Sequence, residues 1–138
     1  MPIKCSVMIE YISENDFYLL DHKVMKTVFS IHKDFGRFCD EKIYQNELAH
    51  RCQKIGFDTV ATEVPIQVSF QDFNKLYYMD LLINNRIMYE LKTVNVLTGE
   101  HRKQALNYLL LLGMHYGKLI NMRPESAQYN FVDRKSVV

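Results

Sequence analysis

The sequence predicts an α/β fold in which helices flank a mixed sheet that contains an antiparallel meander. Three observations carry this prediction. Apolar residues recur at helical spacing in the first 55 residues, strand-like segments separated by turn residues follow, and a leucine-rich helical segment comes after them. The resulting order of helix, helix, three strands, helix and strand differs from the regular alternation of a doubly wound nucleotide-binding fold.

The N-terminal part of the chain changes from a strand-like to a helical pattern at Asp16. Before it, apolar residues alternate with more polar ones over residues 7–11, which favours a short edge strand. After it, the apolar stripe of a helix consists of Leu20, Val24, Val28 and Ile31. Gly36 follows this stripe and is expected to cap the helix in a left-handed conformation.

A second helix is expected to begin at Asp40, whose carboxylate can accept hydrogen bonds from the free N–H groups of the first turn. Its apolar face consists of Tyr44, Leu48, Cys52 and Ile55. Gly56 follows the last of these residues and is expected to end the helix.

Three strands of a meander follow, over residues 59–70, 76–83 and 87–94. Pro65 has no N–H group, so the first of these strands should be an edge or carry a bulge at that point. Polar residues 71–75 form the first connection, and residues 84–86 form a hairpin turn because asparagine tolerates positive φ.

The C-terminal part predicts one more helix and one or two further strands. The helix covers residues 98–112 and ends at Gly113, with Ala105, Leu109 and Leu112 on its apolar side. Residues 119–122 and 129–132 are the expected strands.

Length and composition indicate one globular domain over residues 1–138. Hydrophobic residues make up 48% and charged residues 24% of the chain, which excludes a disordered protein. The 17 basic and 16 acidic side chains nearly cancel, which excludes a generally basic protein but allows a local basic surface. Three cysteines without a CxxC pair argue against disulfides or a zinc ribbon. The sequence also has no long apolar run or signal peptide, so we expect a soluble, cytoplasmic protein with no membrane partner.

Two acidic residues inside otherwise apolar strands, Asp80 and Glu90, are the strongest indication of chemistry, because a buried carboxylate needs a partner. If the turn has three residues, Ile83 pairs with Ile87 and Asp80 lies opposite Glu90, with Lys92 on the same face. A two-residue turn would send Glu90 to the other face. We prefer the three-residue turn because it groups the charged side chains.

Two adjacent carboxylates repel each other, and a divalent cation between them removes that repulsion. Oxygen ligands suit Mg²⁺ or Mn²⁺, which can polarise a phosphoryl oxygen and activate water. The ammonium of Lys92 would orient the water and stabilise the developing charge. The alternative is that Lys92 only forms a cross-strand ion pair with one of the two acids.

The wider sequence resembles the small bacterial GxxExxY proteins of the PD-(D/E)XK nuclease superfamily, over residues 20–121. The matching motifs are residues 31–36 with "VHRxLG", 41–44 with "ExxY", 64–65 with "VP", 80–82 and 90–92 with "DLL…ELK", and 104–108 with the QxxxY element of RecB-like nucleases. Two positions depart from the pattern: Phe38 replaces the first glycine of GxxExxY, and Met79 replaces the proline before the aspartate.

The resemblance implies a restriction-endonuclease-like core. It also implies that Asp80, Glu90 and the carbonyl of Leu91 bind the metal and that Lys92 positions the water. Glu41 would be an accessory ligand, although an acid in the first turn of a helix is favoured by the helix dipole alone.

The resemblance further implies that Gln104 and Tyr108, which share a helix face, steady Lys92 or contact phosphates. The alternative for both is a polar stripe at the edge of a buried helix. Tyr44 and His32 are weaker candidates for substrate contacts, and a lone histidine at a helix end is more often a C-terminal cap or a satisfied core group. The basic residues that could line the rim of the site are Arg102, Lys103, Lys118 and Arg123.

The leading hypothesis is a Mg²⁺-dependent nuclease that acts on DNA rather than RNA. The alternative is a catalytically inactive nucleic-acid-binding or protein-interaction module on the same fold. A small-molecule phosphohydrolase would need a phosphate loop, which the sequence lacks. The chain has no room for a separate DNA-recognition domain, so we expect a protein partner or a homo-oligomer to supply specificity.

Overall fold

The computed structural model describes residues 2–133 and contains one mixed sheet with helices packed on both faces. In chain order the elements are β1 (Ile3–Cys5), α1 (Glu14–Phe35), α2 (Glu41–Ile55), β2 (Val60–Phe70), β3 (Phe73–Ile83), β4 (Ile87–Lys92), α3 (Gly99–Leu112), β5 (Tyr116–Asn121) and β6 (Gln128–Asp133). The strands lie in the sheet in chain order, and only β4 and β5 among them run parallel, connected by α3. The predicted α/β class and its antiparallel meander are confirmed.

The N-terminal strand lies earlier than the sequence predicts. Residues 3–5 pair with residues 66–68 of β2, whereas the segment predicted as a strand, 7–11, is irregular. That segment runs past the end of the sheet, where the N–H of Glu10 donates to the carbonyl of Asn85 in the β3–β4 turn. The alternation of its residues reflects packing of its apolar side chains against the core under α3, not pairing in the sheet.

The helix ends follow the predicted capping residues with two differences. Helix α1 begins two residues earlier than predicted, because the hydroxyl of Ser13 accepts a hydrogen bond from the N–H of Asp16. Gly36 has a φ of 76° but a ψ of −160°, so it leaves the helix in an extended direction and not in the predicted left-handed conformation. Asp40 precedes α2 as predicted, but its side chain makes no capping hydrogen bond.

The strand boundaries differ from the prediction at two connections. The turn between β2 and β3 contains only Gln71 and Asp72, because residue 73 already pairs with residue 70. Strand β4 ends at Lys92, since the side chain of Asn121 takes both the N–H and the carbonyl of Val94. Pro65 lies on β2 beyond the reach of β1, so the prediction that the strand is an edge there is confirmed.

Two apolar cores cover the two faces of the sheet. The first lies under α1 and α2 and includes Phe17, Val28, Leu48, Leu81, Ile83, Ile87, Tyr89 and Leu91. The second lies under α3 and includes Val64, Ile66, Met79, Leu82, Met88, Ala105, Leu109 and Leu119. The predicted helix stripes and strand faces account for both cores, so each helix is held by its own apolar side.

The strand alternation breaks at one place. Met79 and Leu82 both pack in the core under α3, although side chains three residues apart in a regular strand point to opposite faces. The break falls at Asp80 on β3 and opposite it at Glu63 on β2, which has a positive φ of 50°. This local twist turns Asp80 out of both cores. Within residues 2–133, no helix is long and apolar enough to cross a membrane.

Gly117 on β5 tests the packing of α3 against the sheet. A Cβ atom at this position would lie 3.2 Å from the backbone oxygen of Met88 and 3.2 Å from Cδ2 of Leu109. We expect Gly117→Ala to lower the free energy of unfolding by about 1–3 kcal/mol through overpacking. Gly99→Ala is the matched control, because a Cβ there meets nothing within 4 Å and alanine favours a helix.

Urea unfolding of the two variants and the wild type measures the difference. Equal stability of Gly117→Ala and wild type would contradict the close packing of Leu109 and Met88 against Gly117.

Candidate active site

The site begins where β3 and β4 separate. The two strands pair at three positions, Leu81 with Tyr89, Leu82 with Met88 and Ile83 with Ile87. The last pair is the one expected for a three-residue turn, and Asn84 and Asn85 both have positive φ, so the predicted register is confirmed.

Beyond these pairs, the side chains of Asp80 and Glu90 accept the hydrogen bonds that backbone carbonyls accept in a regular sheet. The N–H of Asp80 donates to Oε1 of Glu90 over 3.0 Å, and the N–H of Leu91 donates to Oδ2 of Asp80 over 2.8 Å. Each acidic side chain is therefore held by the backbone of the strand opposite. This arrangement fixes the two carboxylates side by side at the point where the sheet opens.

Glu63 and Lys42 support this opening, and sequence reasoning missed both. Thr62 pairs with Leu81 and Val64 with Met79, so Glu63 lies opposite Asp80. The carboxylate of Glu63 pairs with the ammonium of Lys42 on α2. The charge of Lys42 also lowers the pKa of Asp80. Pro65 was the one signal of an irregular strand nearby.

Burial dominates the electrostatics of the two acids. Glu90 is 2% exposed, and burial raises its pKa well above the usual range, with a further increase from the charge of Asp80. Burial also raises the pKa of Asp80, while the hydrogen bond from Leu91 and the charge of Lys92 lower it. The site therefore favours a cation or a proton at these oxygens.

Lys92 is held by α3. Its ammonium donates to Oε1 of Gln104 over 3.1 Å. Among the ion pairs of residues 2–133, none joins Lys92 to either acid, so the alternative of a simple cross-strand ion pair is wrong. The charge of Lys92 nevertheless lowers the pKa of both Asp80 and Glu90.

Tyr108 lies on the same side of α3, one turn after Gln104. Burial raises its pKa to about 12, and the charges of Glu90 and Asp80 add to the increase. Its ring meets the ring of Tyr77 edge-on, with 5.7 Å between the centroids. The structure thus places Tyr108 within electrostatic reach of the acids and Gln104 in contact with Lys92.

Glu41, the first residue of α2, faces the same site. Burial raises its pKa, the charge of Asp80 raises it further, and the charge of Lys92 lowers it. However, no three His, Cys, Asp or Glu side chains in the described part of the chain gather closely enough to hold a metal ion by themselves. Glu41 is near the pair of acids without completing a ligand set.

The donor set suits a magnesium-type cation. Asp80 and Glu90 supply adjacent carboxylate oxygens, and Leu91, whose carbonyl is the third candidate ligand, directly follows Glu90 in the chain. Mg²⁺ binds through one or two carboxylates and keeps several waters, so a pair of acids is sufficient where a closed protein cage is not. The buried charge of Glu90 provides the electrostatic reason for such an ion.

Two weaker candidates use their polar atoms elsewhere. The hydroxyl of Tyr44 donates to the carbonyl of Gly36 over 2.6 Å and accepts from the N–H of Cys39. Nε2 of His32 donates to the carbonyl of Pro124 over 2.9 Å. Both side chains brace loops, so the structure does not support the predicted substrate contacts. A buried aromatic in a helix stripe does not reveal from sequence where its hydroxyl points.

All four predicted rim cations also have partners, and that of Arg123 is the carbonyl of Arg37, to which its Nε donates over 3.2 Å. Lys118 is 5% exposed and pairs with Asp21 over 2.5 Å, so it is a core residue. Arg102 donates to a backbone carbonyl of β6, and Lys103 pairs with Glu100. Arg123 lies in the loop after β5, where the N–H of the preceding residue donates to the carbonyl of Lys92.

Comparisons with known proteins agree with this geometry. A family model described as the PD-(D/E)XK nuclease superfamily matches residues 19–133. None of the curated proteins matches the sequence significantly. The crystal structure of protein VC1899 from Vibrio cholerae is similar, with 17% identity and a TM-score of 0.50 over 83% of this chain. The present chain spans 37% of that protein.

A second solved structure, titled SSO0001, shows 16% identity and a TM-score of 0.46, and the match covers 88% of this chain and 78% of that one. The family match and the arrangement of the sheet and its helices confirm the predicted restriction-endonuclease-like fold.

The raised pKa of Glu90 predicts a pH dependence of stability in the metal-free protein. The folded state keeps a proton that the unfolded state loses above its ordinary pKa of 4.5, so stability falls as pH rises from there towards the folded-state pKa. Each pH unit in that window costs up to about 1.4 kcal/mol. We expect Glu90→Gln, which keeps the acceptor oxygen, to be more stable than wild type at pH 8 in EDTA.

Urea unfolding between pH 5 and pH 8 measures this difference, with the exposed Glu125→Gln as the matched control. A wild type whose stability curve coincides with that of Glu90→Gln would show that Glu90 carries no such penalty.

Proposed function

The chain belongs to the PD-(D/E)XK nuclease superfamily, and we propose that it is a metal-dependent nuclease that hydrolyses phosphodiester bonds, in DNA rather than RNA. Within the superfamily we place it with the GxxExxY group. The observation that carries the proposal is the pair of hydrogen bonds, from the N–H of Asp80 to Glu90 and from the N–H of Leu91 to Asp80, that holds the two carboxylates side by side. Such an arrangement concentrates negative charge, as a cation-dependent site requires.

Mg²⁺, or Mn²⁺ in its place, would be held by Asp80, Glu90 and the carbonyl of Leu91, and would supply Lewis-acid activation of the phosphate and of water. Glu41 would contribute from the start of α2, through water or directly. The first two residues are already fixed by backbone donors, so little reorganisation is needed on binding.

Lys92 would act on the reacting water and on the charge that develops at the phosphate. Its ammonium donates to Oε1 of Gln104, a neutral acceptor, and keeps a positive charge that an incoming anion can meet. Tyr108 would help to keep water from the acids, because its buried ring lies on α3 within electrostatic reach of Glu90 and Asp80. Desolvation strengthens each electrostatic contact with the substrate.

The metal assignment predicts a loss of binding on removal of one charge. We expect Asp80→Asn to abolish Mn²⁺ binding while it preserves the fold, since asparagine keeps an oxygen that can accept from Leu91. Asp72→Asn, in the exposed β2–β3 turn, is the matched control and should bind as the wild type does. Calorimetric titration with Mn²⁺ compares the three proteins, and equal heats for all would place any metal elsewhere.

The role of Lys92 separates an enzyme from a binding module. Because its ammonium acts on the transition state, Lys92→Ala should lose most Mg²⁺-dependent cleavage of DNA, while affinity and thermal stability change little. Lys54→Ala, at the exposed end of α2, should cleave normally. Single-stranded, duplex and flapped substrates are compared on gels.

Wild type that binds DNA but cleaves none of these substrates with Mg²⁺ or Mn²⁺ would favour the binding-module alternative. Cleavage that survives unchanged in Lys92→Ala would reject the proposed role of the lysine.

A further inference from the structure

An exposed aromatic ring in the loop that precedes Glu41 lies near two arginines. Phe38, in the loop between α1 and α2, is 74% exposed. The guanidinium carbon of Arg37 lies 4.8 Å from the ring centroid, and that of Arg123 lies 5.8 Å from it. A large apolar ring left open to solvent next to two cations matches the chemistry that binds an unpaired nucleobase and its phosphate.

The backbone around this ring is firmly held. Nε of Arg37 donates to the carbonyl of Arg123 over 2.6 Å, and Nε of Arg123 donates to the carbonyl of Arg37 over 3.2 Å. The buried hydroxyl of Tyr44 bonds to residues on both sides of Phe38. The two arginines therefore join two loops, and the ring is presented without a large loss of entropy on binding.

The loop that carries Phe38 and the loop that carries Arg123 both lead to residues of the candidate active site. Glu41, three residues after Phe38, has a pKa that responds to the charges of Asp80 and Lys92. On the other side, the residue before Arg123 donates its N–H to the carbonyl of Lys92 over 2.9 Å. Two short stretches of chain, residues 38–41 and 122–123, thus link the ring and its arginines to the candidate site.

We propose that Phe38, Arg37 and Arg123 form a stacking platform for an unpaired base next to the cleaved phosphate, so that the substrate is single-stranded DNA or a frayed or flapped end. The base stacks on the Phe38 ring, and the free guanidinium N–H groups hold the adjacent phosphate. The bases of a continuous duplex are stacked on each other and cannot reach the ring. The position of the platform next to a cleaved phosphate rests on the proposed nuclease function.

The chain has no tryptophan, so Phe38→Trp places a single fluorescent reporter on the platform. In EDTA, which prevents cleavage, we expect a single-stranded oligonucleotide of about ten nucleotides to quench this tryptophan. An abasic oligonucleotide of the same length and a blunt duplex should quench it little. Phe70→Trp, at the far end of β2 and also exposed at 66%, is the matched control and should not respond.

Affinity provides a second measurement. Phe38→Ala should raise the dissociation constant for single-stranded DNA about 5- to 150-fold, which is the range expected for loss of one stacked base. Phe38→Tyr should restore the affinity, because it keeps the ring. Urea unfolding checks that the variants fold. If Phe38→Ala does not fold, the fluorescence of Phe38→Trp tests the proposal instead.

The outcomes separate the platform from the nuclease assignment. Equal quenching by duplex and single strand, equal quenching of the two tryptophan variants, or unchanged affinity of a folded Phe38→Ala would overturn the platform. Cleavage by the wild type without quenching in Phe38→Trp would overturn the platform and leave the nuclease proposal standing. Quenching without any cleavage by the wild type would support the platform and reject the nuclease proposal.

Discussion

The arrangement of the site depends on two hydrogen bonds between β3 and β4, in which the N–H of Asp80 donates to the carboxylate of Glu90 and the N–H of Leu91 donates to the carboxylate of Asp80. A carboxylate that is 2% exposed loses most of its hydration, and one backbone N–H replaces only part of it. The two strands must therefore separate where these acids lie, because a continuous ladder would use the same N–H groups for backbone acceptors. The positive φ of Glu63 and its pairing with Lys42 accommodate that separation on the neighbouring strand and helix.

The two cores explain why such a costly site persists in the fold. Leu81, Tyr89 and Leu91 anchor the strands against α1 and α2, and Leu82 and Met88 anchor them against α3. These residues all lie within two positions of the acids, so burial on both faces holds the strand ends while the acids face each other. Helix α3 has a double role, since its apolar side packs on the sheet while Gln104 and Tyr108 approach the site.

The register of β3 against β4 can be predicted from the sequence, because the turn residues and the pattern of charged residues both indicate a three-residue turn. Two asparagines that tolerate positive φ fix a three-residue turn, and parity then places Asp80 opposite Glu90 without any tertiary information. The helices follow in the same way from apolar spacing. The positive φ of Glu63 on β2 could not be predicted in this way, because it accommodates Asp80 on the neighbouring strand β3. The burial of Lys118 was also missed, since its counterion Asp21 is 97 residues away in the chain.

The structure contains a second buried carboxylate, and the contrast shows why only one location is a candidate for chemistry. Asp21 has both oxygens bonded, one to the ammonium of Lys118 at 2.5 Å and the other to the hydroxyl of Tyr89 at 2.8 Å. A full charge partner and two hydrogen bonds complete its requirements, so it acts as a structural tie between α1 and the sheet. Asp80 and Glu90 instead each receive one backbone N–H, and the nearest ammonium is drawn towards Gln104. Burial keeps the pKa of both acids raised although the charge of Lys92 lowers it, so the remaining neutralising charge has to come from a proton or a bound cation. This lack of a full charge partner, more than burial itself, distinguishes the candidate active site from the buried pair of Asp21 and Lys118.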